Sequence, residues 1–339
     1  MKNTQVMQSM SIVWLSIFML GITMMSCNSK KEQQLPTIGK FVALFDYFSY
    51  KGNDDFYISN PLSGEDYFYN PILPGWYSDP SVCTNGEGDY FLVTSTFTYF
   101  PGVPIFHSKD LVNWKQIGHV LNRASQLVKM EGQKVSGGIF APAISYNPYN
   151  KTYYMVTTNV GAGNFFVKTQ DPFGEWSEPV MLPEVGGIDP SFFFDEDGKA
   201  YIVNNDEAPD NKPEYSGHRT IRIQEFDVKA DKTIGPRKIL VNKGAQPADK
   251  PIWIEGPHLY KINGKYFLMS AEGGTGNWHS EVIFRGDSPM GKFLPWKNNP
   301  ILTQRHLTLS NPSCWVCRCC KVIPENGVFV WKEGRYSMQ

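Results

Sequence analysis

The chain has 339 residues, of which 14% are aromatic and 19% charged, and its net charge at pH 7 is −1. This length suits one large domain or two smaller ones, and a charge so close to zero excludes the basic surface that nucleic-acid binding requires. A neutral surface rich in Trp and Tyr favours a neutral, hydroxyl-rich ligand, because sugar rings stack on aromatic faces.

The N-terminus has the pattern of an export signal. Lys2 precedes an apolar run, Ile12 to Met25, that has the length of a signal-peptide core and is short for a membrane span. The run ends beside Cys27, and polar residues follow, as in a bacterial lipoprotein signal; an ordinary signal peptide is the alternative. We predict that residues 1–27 are a lipoprotein-type signal peptide. The protein would then be exported to the periplasm or cell surface and held at the membrane only by a lipid on Cys27.

Residues 28–68 are predicted to be a tether and an N-terminal lead-in, and the fold proper to begin at Tyr69. From there a unit of roughly fifty to sixty residues repeats, a period typical of propellers and solenoids. Each unit has an apolar strand, a turn rich in Gly, Asp or Asn, and further strands that end in aromatic residues. The first strands of the four clear units are Pro80–Cys83, Gly138–Ile144, Asp189–Phe194 and Gly256–Tyr260.

Turns such as Asp197-Gly198 and Asn263-Gly264 supply residues that tolerate positive φ between short strands. Residues 69–305 contain no capped apolar pattern with a period of 3.6, so helix is predicted to be minor. Four short strands per unit, with a polar or acidic residue at the start of the first, favour the blades of a β-propeller over an extended solenoid. We predict an all-β propeller over residues 69–306, with four clear blades and a fifth expected beyond Leu302.

The last residues, 307–339, do not follow the order of the earlier units. Four Cys lie between Cys314 and Cys320, but the adjacent Cys319 and Cys320 give poor tetrahedral geometry for zinc, and no metal site is predicted. Gly327–Trp331 has the composition of a single strand. We interpret residues 307–339 as an aberrant tail, a truncated or frame-shifted end that contains at most a partial fifth blade.

An Asp-Pro pair, or a close copy of it, opens three of the units: Asp79-Pro80, Asp189-Pro190 and Glu255-Gly256-Pro257. For any one pair, a turn cap is the simpler explanation. Three acids at matching positions of a propeller repeat would instead converge on its axis. Hydrolysis of a glycosidic bond needs two carboxyl groups, one to protonate the leaving oxygen and one to activate water or attack carbon. A third acid nearby favours the protonated form of the acid catalyst.

Together these motifs resemble glycoside hydrolase family 43. The segments that carry the resemblance are Trp76–Ser81, Ser95–Trp114, Gly187–Ser191, Ile254–His258 and Ser270–Thr275. The resemblance covers about residues 68 to 306 and is to the branch that contains β-xylosidases and α-L-arabinofuranosidases. It implies a five-bladed propeller that hydrolyses xylosidic or arabinofuranosidic bonds of plant polysaccharides with inversion. It implies no required cofactor, and no residue pattern supports a calcium ion on the axis.

The resemblance also implies roles for individual residues. Asp79 matches the general base that activates water, Glu255 the general acid, and Asp189 the acid that orients Glu255 and favours its protonated form. The Asp79 and Glu255 carboxyl groups are then expected about 6.5–9.5 Å apart. Five further side chains are candidate sugar contacts, with core packing as the alternative: Trp76, Phe100, Phe140, Trp253 and His258.

Two other functions remain open. The fifth-blade His-Ala-Asp element and the substrate-binding Arg that such enzymes commonly have are not recognisable, nor is a second β-sandwich domain. The chain could therefore be a catalytically impaired propeller that binds carbohydrate at a cell surface. A related five-bladed hydrolase acting on fructans is disfavoured, because its Asn-Asp-Pro-type opening is absent.

Overall fold

The computed structural model describes the following residues: 55–64, 67–69, 71–303, 305, 322–323 and 328–329. The predicted signal peptide, with Cys27, and most of the predicted tether lie outside them. The chain divides into residues 1–61 and residues 62–339. In the first unit, Asp55–Ser59 forms a short helix, α1. No helix within the described part of the chain is long and apolar enough to cross a membrane.

The described residues of the second unit contain four antiparallel sheets of four or five strands, which we name blades I to IV. Blade I consists of β1 Ser81–Thr84, β2 Tyr90–Val93, β3 Gly102–Ser108 and β4 Lys115–Leu121. Blade II consists of β5 Ile139–Asn147, β6 Thr152–Asn159, β7 Gly163–Thr169 and β8 Val180–Met181. Blade III consists of β9 Ile188–Phe194, β10 Ala200–Glu207, β11 Arg219–Asp227 and β12 Lys232–Asn242. Blade IV consists of β13 Glu255–Ile262, β14 Lys265–Glu272, β15 Ser280–Gly286 and β16 Leu294–Pro295, and β17 Leu302–Thr303 also pairs with β15.

The hairpin turns follow from the sequence. Between β13 and β14, Asn263 and Gly264 have φ values of 50° and 71°, as a two-residue turn between twisted antiparallel strands requires. Gly198, with φ 83°, closes the turn between β9 and β10. Helix is minor, as predicted: besides α1, the described residues contain only the 3-10 turns Ala124–Gln126, Pro209–Asn211 and Pro247–Asp249.

The four first strands lie side by side in chain order, β1 next to β5, β5 next to β9 and β9 next to β13. Three apolar layers fill the spaces between the blades, and each draws its buried side chains from two successive blades. Blades I and II share Phe91, Ile105, Met155 and Phe165; blades II and III share Tyr154, Phe166, Phe192 and Phe226; blades III and IV share Val203, Ile223, Leu268 and Phe284. This radial stacking of sheets confirms the propeller prediction for four blades.

Each end of the four-blade arc has an apolar face of its own. On blade I, Val82, Leu92 and Phe106 pack under Tyr77 and Trp114. On blade IV, a cavity of about 880 Å³ opens on the outer face of the sheet. Apolar side chains dominate its lining, among them Phe267, Met269, Ile283, Leu294 and Trp296.

A fifth blade is not among the described residues. Within the predicted tail, the described backbone forms one antiparallel pair, β18 Val322–Ile323 with β19 Val328–Phe329. The second of these strands lies inside the segment Gly327–Trp331 that the sequence marks as strand-like. The rest of residues 307–339, including the four clustered Cys, lies outside the described part.

Candidate active site

The first strand of each blade is interrupted by the same feature, a two-residue bulge whose second residue is proline. In blades II, III and IV the two bulge residues face a single residue of the second strand. In blade I the N–H of Ser95 bonds to the carbonyl oxygen of Ser78 at 3.0 Å, and Ser81 pairs with Val93, so the bulge of blade I lies at the same position. The four bulges are Asp79-Pro80, Ala141-Pro142, Asp189-Pro190 and Gly256-Pro257. In all four, the residue before proline has positive φ: 52°, 38°, 54° and 56° in chain order.

The bulges show how the three predicted catalytic acids are related. Asp79 and Asp189 are themselves the positive-φ residues of their bulges. Glu255 stands one residue earlier, paired with Ala271 on β14, and Gly256 takes the positive-φ position. The expectation of matching positions therefore holds for the two Asp and is wrong by one residue for Glu255. The reason is steric, because Asp and Gly adopt positive φ far more readily than Glu.

Blade II carries the same bulge without an acid. Ala141 occupies the position of Asp79 and Asp189. Blades I, III and IV thus each have a carboxyl group at or next to the bulge, and blade II has the methyl group of Ala141 there.

Asp79 is half-buried, and its carboxylate is connected to the neighbouring blade through the hydroxyl of Ser95. The Ser95 hydroxyl donates a hydrogen bond to Asp79 Oδ2 at 2.5 Å and accepts one from the Ala141 N–H at 2.7 Å. A single hydroxyl therefore connects the carboxylate of blade I to the bulge of blade II. A hydrogen bond to a charged group of this kind contributes about 1.5–3 kcal/mol.

Asp189 and Glu255 are both buried, with exposed fractions of 2% and 3%. The backbone N–H of Gly256, which directly follows Glu255, donates to Asp189 Oδ2 at 3.1 Å. The Asp189 N–H in turn donates to Thr158 Oγ1 at 3.1 Å. The carboxylate of blade III thus lies against the backbone that carries Glu255, as an acid that orients its neighbour requires.

An aromatic group lies beside Asp79. Trp76 and Phe100, which are 58% and 60% exposed, line a cavity of about 280 Å³ together with Ser95 and Phe97. Phe97 stacks on Trp76 with ring centroids 5.4 Å apart and meets Phe140 edge-on at 5.6 Å. The structure therefore brings three of the five predicted sugar contacts together. Phe97, which joins them, was not predicted, although it lies inside the family-like segment Ser95–Trp114.

The other two predicted contacts lie on the segment of blade IV around Glu255. Trp253 is half-buried beneath the guanidinium of Arg219, 4.3 Å from its ring centre, and Arg219 is ion-paired with Glu207. His258 is half-buried and stacks on Tyr260 at 6.4 Å, whose cluster forms the outer face of blade IV. Neither residue lines the cavity beside Asp79.

A metal site is not evident in this region. Within the described residues, no group of three or more His, Cys, Asp or Glu side chains is placed to hold a metal ion. Three carboxyl groups, the Ser95 hydroxyl and the aromatic rings are the side chains that the structure describes at this site.

Comparison with known proteins identifies the family. Residues 68–314 match the Glycosyl hydrolases family 43. The chain belongs to glycoside hydrolase family 43. The resemblance seen in the motifs is thus confirmed, and the family match extends past residue 306, where those motifs end.

Several members of this family are similar over most of the chain. A xylosidase/arabinosidase of Butyrivibrio fibrisolvens is 46% identical over 261 residues, which cover 76% of this chain and 49% of that protein. A non-reducing end alpha-L-arabinofuranosidase of Bacteroides ovatus is 36% identical and covers 80% of this chain and 51% of its own length. The crystal structure of a GH43_12 retrieved from a capybara gut metagenome is 57% identical, with a TM-score of 0.71, over 76% of this chain and 48% of that chain. The chain thus spans about half the length of the relatives that it matches.

Proposed function

We propose that this chain is a glycosidase that hydrolyses xylosidic or arabinofuranosidic bonds of plant polysaccharides or oligosaccharides with inversion at the anomeric carbon. The observation that carries the proposal is the set of three carboxyl groups on the first strands of blades I, III and IV, in a family 43 domain. Two of these groups are held by hydrogen bonds at their carboxylate oxygens, Asp79 by Ser95 and Asp189 by the N–H of Gly256.

In this mechanism Asp79 removes a proton from a water molecule, whose oxygen attacks the anomeric carbon from the face opposite the leaving group. The bond to the leaving oxygen breaks as Glu255 gives that oxygen a proton. Asp189 takes no proton. Its negative charge, beside the backbone of a buried Glu255, favours the protonated form of Glu255 before the reaction, and its bond to Gly256 fixes the direction of that chain segment.

The substrate class rests on the relatives and on the aromatic cavity. Relatives that are 46% and 36% identical are named xylosidase/arabinosidase and alpha-L-arabinofuranosidase. The rings of Trp76, Phe97 and Phe100 offer apolar faces for a sugar around a cavity that Ser95, the hydrogen-bond partner of Asp79, also lines.

We further propose that the four blades belong to a five-bladed ring. The apolar lining of the cavity on the outer face of blade IV supports this, because each of the other inter-blade faces is covered by the next blade and a fifth blade would cover this one. The export signal and the lipid on Cys27 also remain proposals, which rest on the sequence pattern of residues 1–27. Metabolic labelling with a radioactive fatty acid, in the wild type and in Cys27→Ala, tests them: label in both proteins would contradict attachment at Cys27.

The activity is tested with nitrophenyl β-xyloside and nitrophenyl α-arabinofuranoside. Proton NMR identifies which anomer of the sugar is released first. We expect at least one substrate to be cleaved, with the inverted anomer appearing first. On xylobiose or arabinobiose, whose leaving alcohol needs the proton, Glu255→Gln and Asp79→Asn should each lower kcat by about 10²–10⁴-fold. On the nitrophenyl glycosides the loss in Glu255→Gln should be much smaller. Asp287→Asn is the matched control, because it removes an acid that is 83% exposed on blade IV, and it should leave kcat unchanged. A retained anomer, or equal rates in all the variants, would contradict the mechanism.

A surface carbohydrate-binding protein is the second candidate. The exposed rings of Trp76, Tyr99 and Phe100 favour it, since such a platform binds sugar whether or not cleavage follows. Calorimetry with xylo-oligosaccharides separates the two functions. Binding without release of sugar would support the second candidate, and the absence of both would exclude both.

A further inference from the structure

Buried side chains on the second strands of blades I to III connect each blade to the next at the position of the bulges. Within their own blades, Thr158 pairs with Phe140, Asn205 with Ile188 and Ala271 with Glu255, each directly before the bulge. Ser95 holds the same position in blade I through its N–H bond to Ser78. The equivalent residues of the four blades are therefore Ser95, Thr158, Asn205 and Ala271.

Three of these residues reach the bulge region of the following blade. The hydroxyls of Ser95 and Thr158 accept the N–H of Ala141 and Asp189, at 2.7 and 3.1 Å. Asn205 acts differently: its Nδ2 donates to the carbonyl oxygen of Ile254 at 2.5 Å. In blade IV the equivalent residue is Ala271, which has no polar side-chain atom.

The carbonyl that Asn205 binds belongs to Ile254, the residue directly before Glu255. The peptide before Glu255 is held at its carbonyl by Asn205, and the peptide after it is held at the Gly256 N–H by Asp189. Both anchoring side chains belong to blade III and are buried, Asn205 to 1% exposure and Asp189 to 2%. Glu255 therefore takes its orientation from two bonds that cross from the neighbouring blade.

We propose that Asn205 is a positioning residue for the general acid, acting on Glu255 through the peptide of Ile254. This inference rests on the proposed function, since it assigns Asn205 to the proton-donating step of that reaction. Without the Nδ2 donor, the peptide between Ile254 and Glu255 loses its bond from Asn205 and can rotate by a small amount, within the limits set by the pairing of Glu255 with Ala271. That rotation moves the carboxyl group of Glu255 relative to the leaving oxygen, and a displacement of about 1 Å costs on the order of 10²-fold in rate.

The test compares substrates that differ only in how much they need the proton. A nitrophenyl leaving group departs with little protonation, whereas the sugar alcohol of xylobiose or arabinobiose needs a full proton from Glu255. We expect Asn205→Ala to lower kcat on the disaccharide about 10–100-fold and on the nitrophenyl glycoside much less, with KM unchanged. Asn205→Ser, which restores a hydroxyl of the kind found in blades I and II, should recover part of the loss and covers the case that the Ala variant fails to fold.

Ser145→Ala is the control. The Ser145 hydroxyl also makes a single buried bond to a carbonyl of the next blade, Phe192 at 3.1 Å, but no catalytic acid adjoins that residue. Its kcat should change equally on both substrates. If Asn205→Ala also changes both equally, or neither, Asn205 is merely structural and the inference is overturned.

Crystal structures keep the two proposals distinguishable. If the wild type cleaves neither substrate, the proposed function fails, and the positions of Ile254 and Glu255 in Asn205→Ala crystals decide the inference. A shift of the Glu255 carboxyl by more than about 0.5 Å, the tolerance of a working site, would support it. An unmoved carboxyl would overturn it.

Discussion

Asp195, at the end of β9, is a buried carboxylate that joins blade III to blade IV, and its substitution gives a prediction that does not depend on the enzymatic function. Its side chain is 2% exposed. Tyr266 Oη donates to Oδ2 at 2.6 Å, and Lys261 Nζ donates to Oδ1 at 2.9 Å. Burial by itself raises the pKa of Asp195, but the hydrogen bonds from Tyr266, Lys261 and the Glu196 N–H outweigh it, so the pKa lies below its ordinary value.

The magnitude follows from what the carboxylate holds. Removing one partner of a buried ion pair costs about 3–5 kcal/mol. In Asp195→Asn the amide keeps an acceptor oxygen, and Lys261, which is 19% exposed, keeps Glu196 as a partner at 2.9 Å. We therefore expect the free energy of unfolding to fall by about 2–3 kcal/mol at pH 7. Because the folded pKa is lowered, this contribution is present above about pH 4 and is lost as the pH falls through the folded pKa.

Guanidinium unfolding at several pH values between 7 and 2, followed by tryptophan fluorescence, measures both effects. The curves of the wild type and Asp195→Asn should differ most at pH 7 and converge as the pH falls below about 4 and through the lowered folded pKa of Asp195. Asp287→Asn is again the matched control, because it breaks an exposed pair with Lys265 at 2.7 Å on the same blade, and it should follow the wild type throughout. A constant difference between Asp195→Asn and the wild type at all pH values would refute the electrostatic reasoning and leave only a loss of packing.

Two further predictions concern the surroundings of the site. Gly187 has φ 67°, and a Cβ there would stand 1.9 Å from the carbonyl oxygen of Asn205. Gly187→Ala should therefore lower the unfolding free energy by about 3 kcal/mol or more. Gly198 has φ 83° with open space around it, so Gly198→Ala should lower it by only about 1 kcal/mol. Equal losses in chemical denaturation would show that the contact with Asn205 is relieved. Burial raises the pKa of Glu272 despite a hydrogen bond from the Ala245 N–H. The charged form of Glu272 therefore destabilises the folded state at neutral pH. Glu272→Gln should raise Tm at pH 7, and this gain should disappear near pH 4. A lower Tm at pH 7 would contradict this sign.

The inner strands of the propeller could be predicted from the sequence, whereas two of the outer ones, β4 and β12, could not. The runs that became β5, β9 and β13 are apolar and end at Asn- or Asp-containing turns, so composition and turn chemistry agree. β12, Lys232–Asn242, has mostly exposed or half-exposed side chains, and β4 begins with two exposed residues. An outer strand needs only the backbone of its neighbour, so its sequence carries little apolar signal.

The acids show a second limit of sequence reasoning. The Pro that follows each acid marks the bulges, and the family resemblance gave the three residues. The one-residue offset of Glu255 is present in the spacing Glu255-Gly256-Pro257, but only the pairing of Glu255 with Ala271 across the hairpin shows that Gly256 takes the bulge position. Phe97 was missed for a similar reason: its contacts with Trp76 and Phe140 join residues from two blades.

The position of Ala141 explains how one repeated bulge can serve two opposite chemical tasks. The proposed general base, Asp79, and the proposed orienting acid, Asp189, both have the same backbone, an Asp before Pro at positive φ, yet two such carboxylates on neighbouring blades would repel each other. Blade II separates them: it has the bulge, and its Ala141 N–H donates the anchoring bond to Ser95, but it carries a methyl group. Asp189 and Glu255, by contrast, lie on adjacent blades and are linked through Gly256, where the negative charge of Asp189 would favour the protonated form of Glu255. The backbone at position 141 already suits an Asp. Ala141→Asp should nevertheless add a carboxylate between Asp79 and Asp189 and so introduce the repulsion that the methyl group avoids.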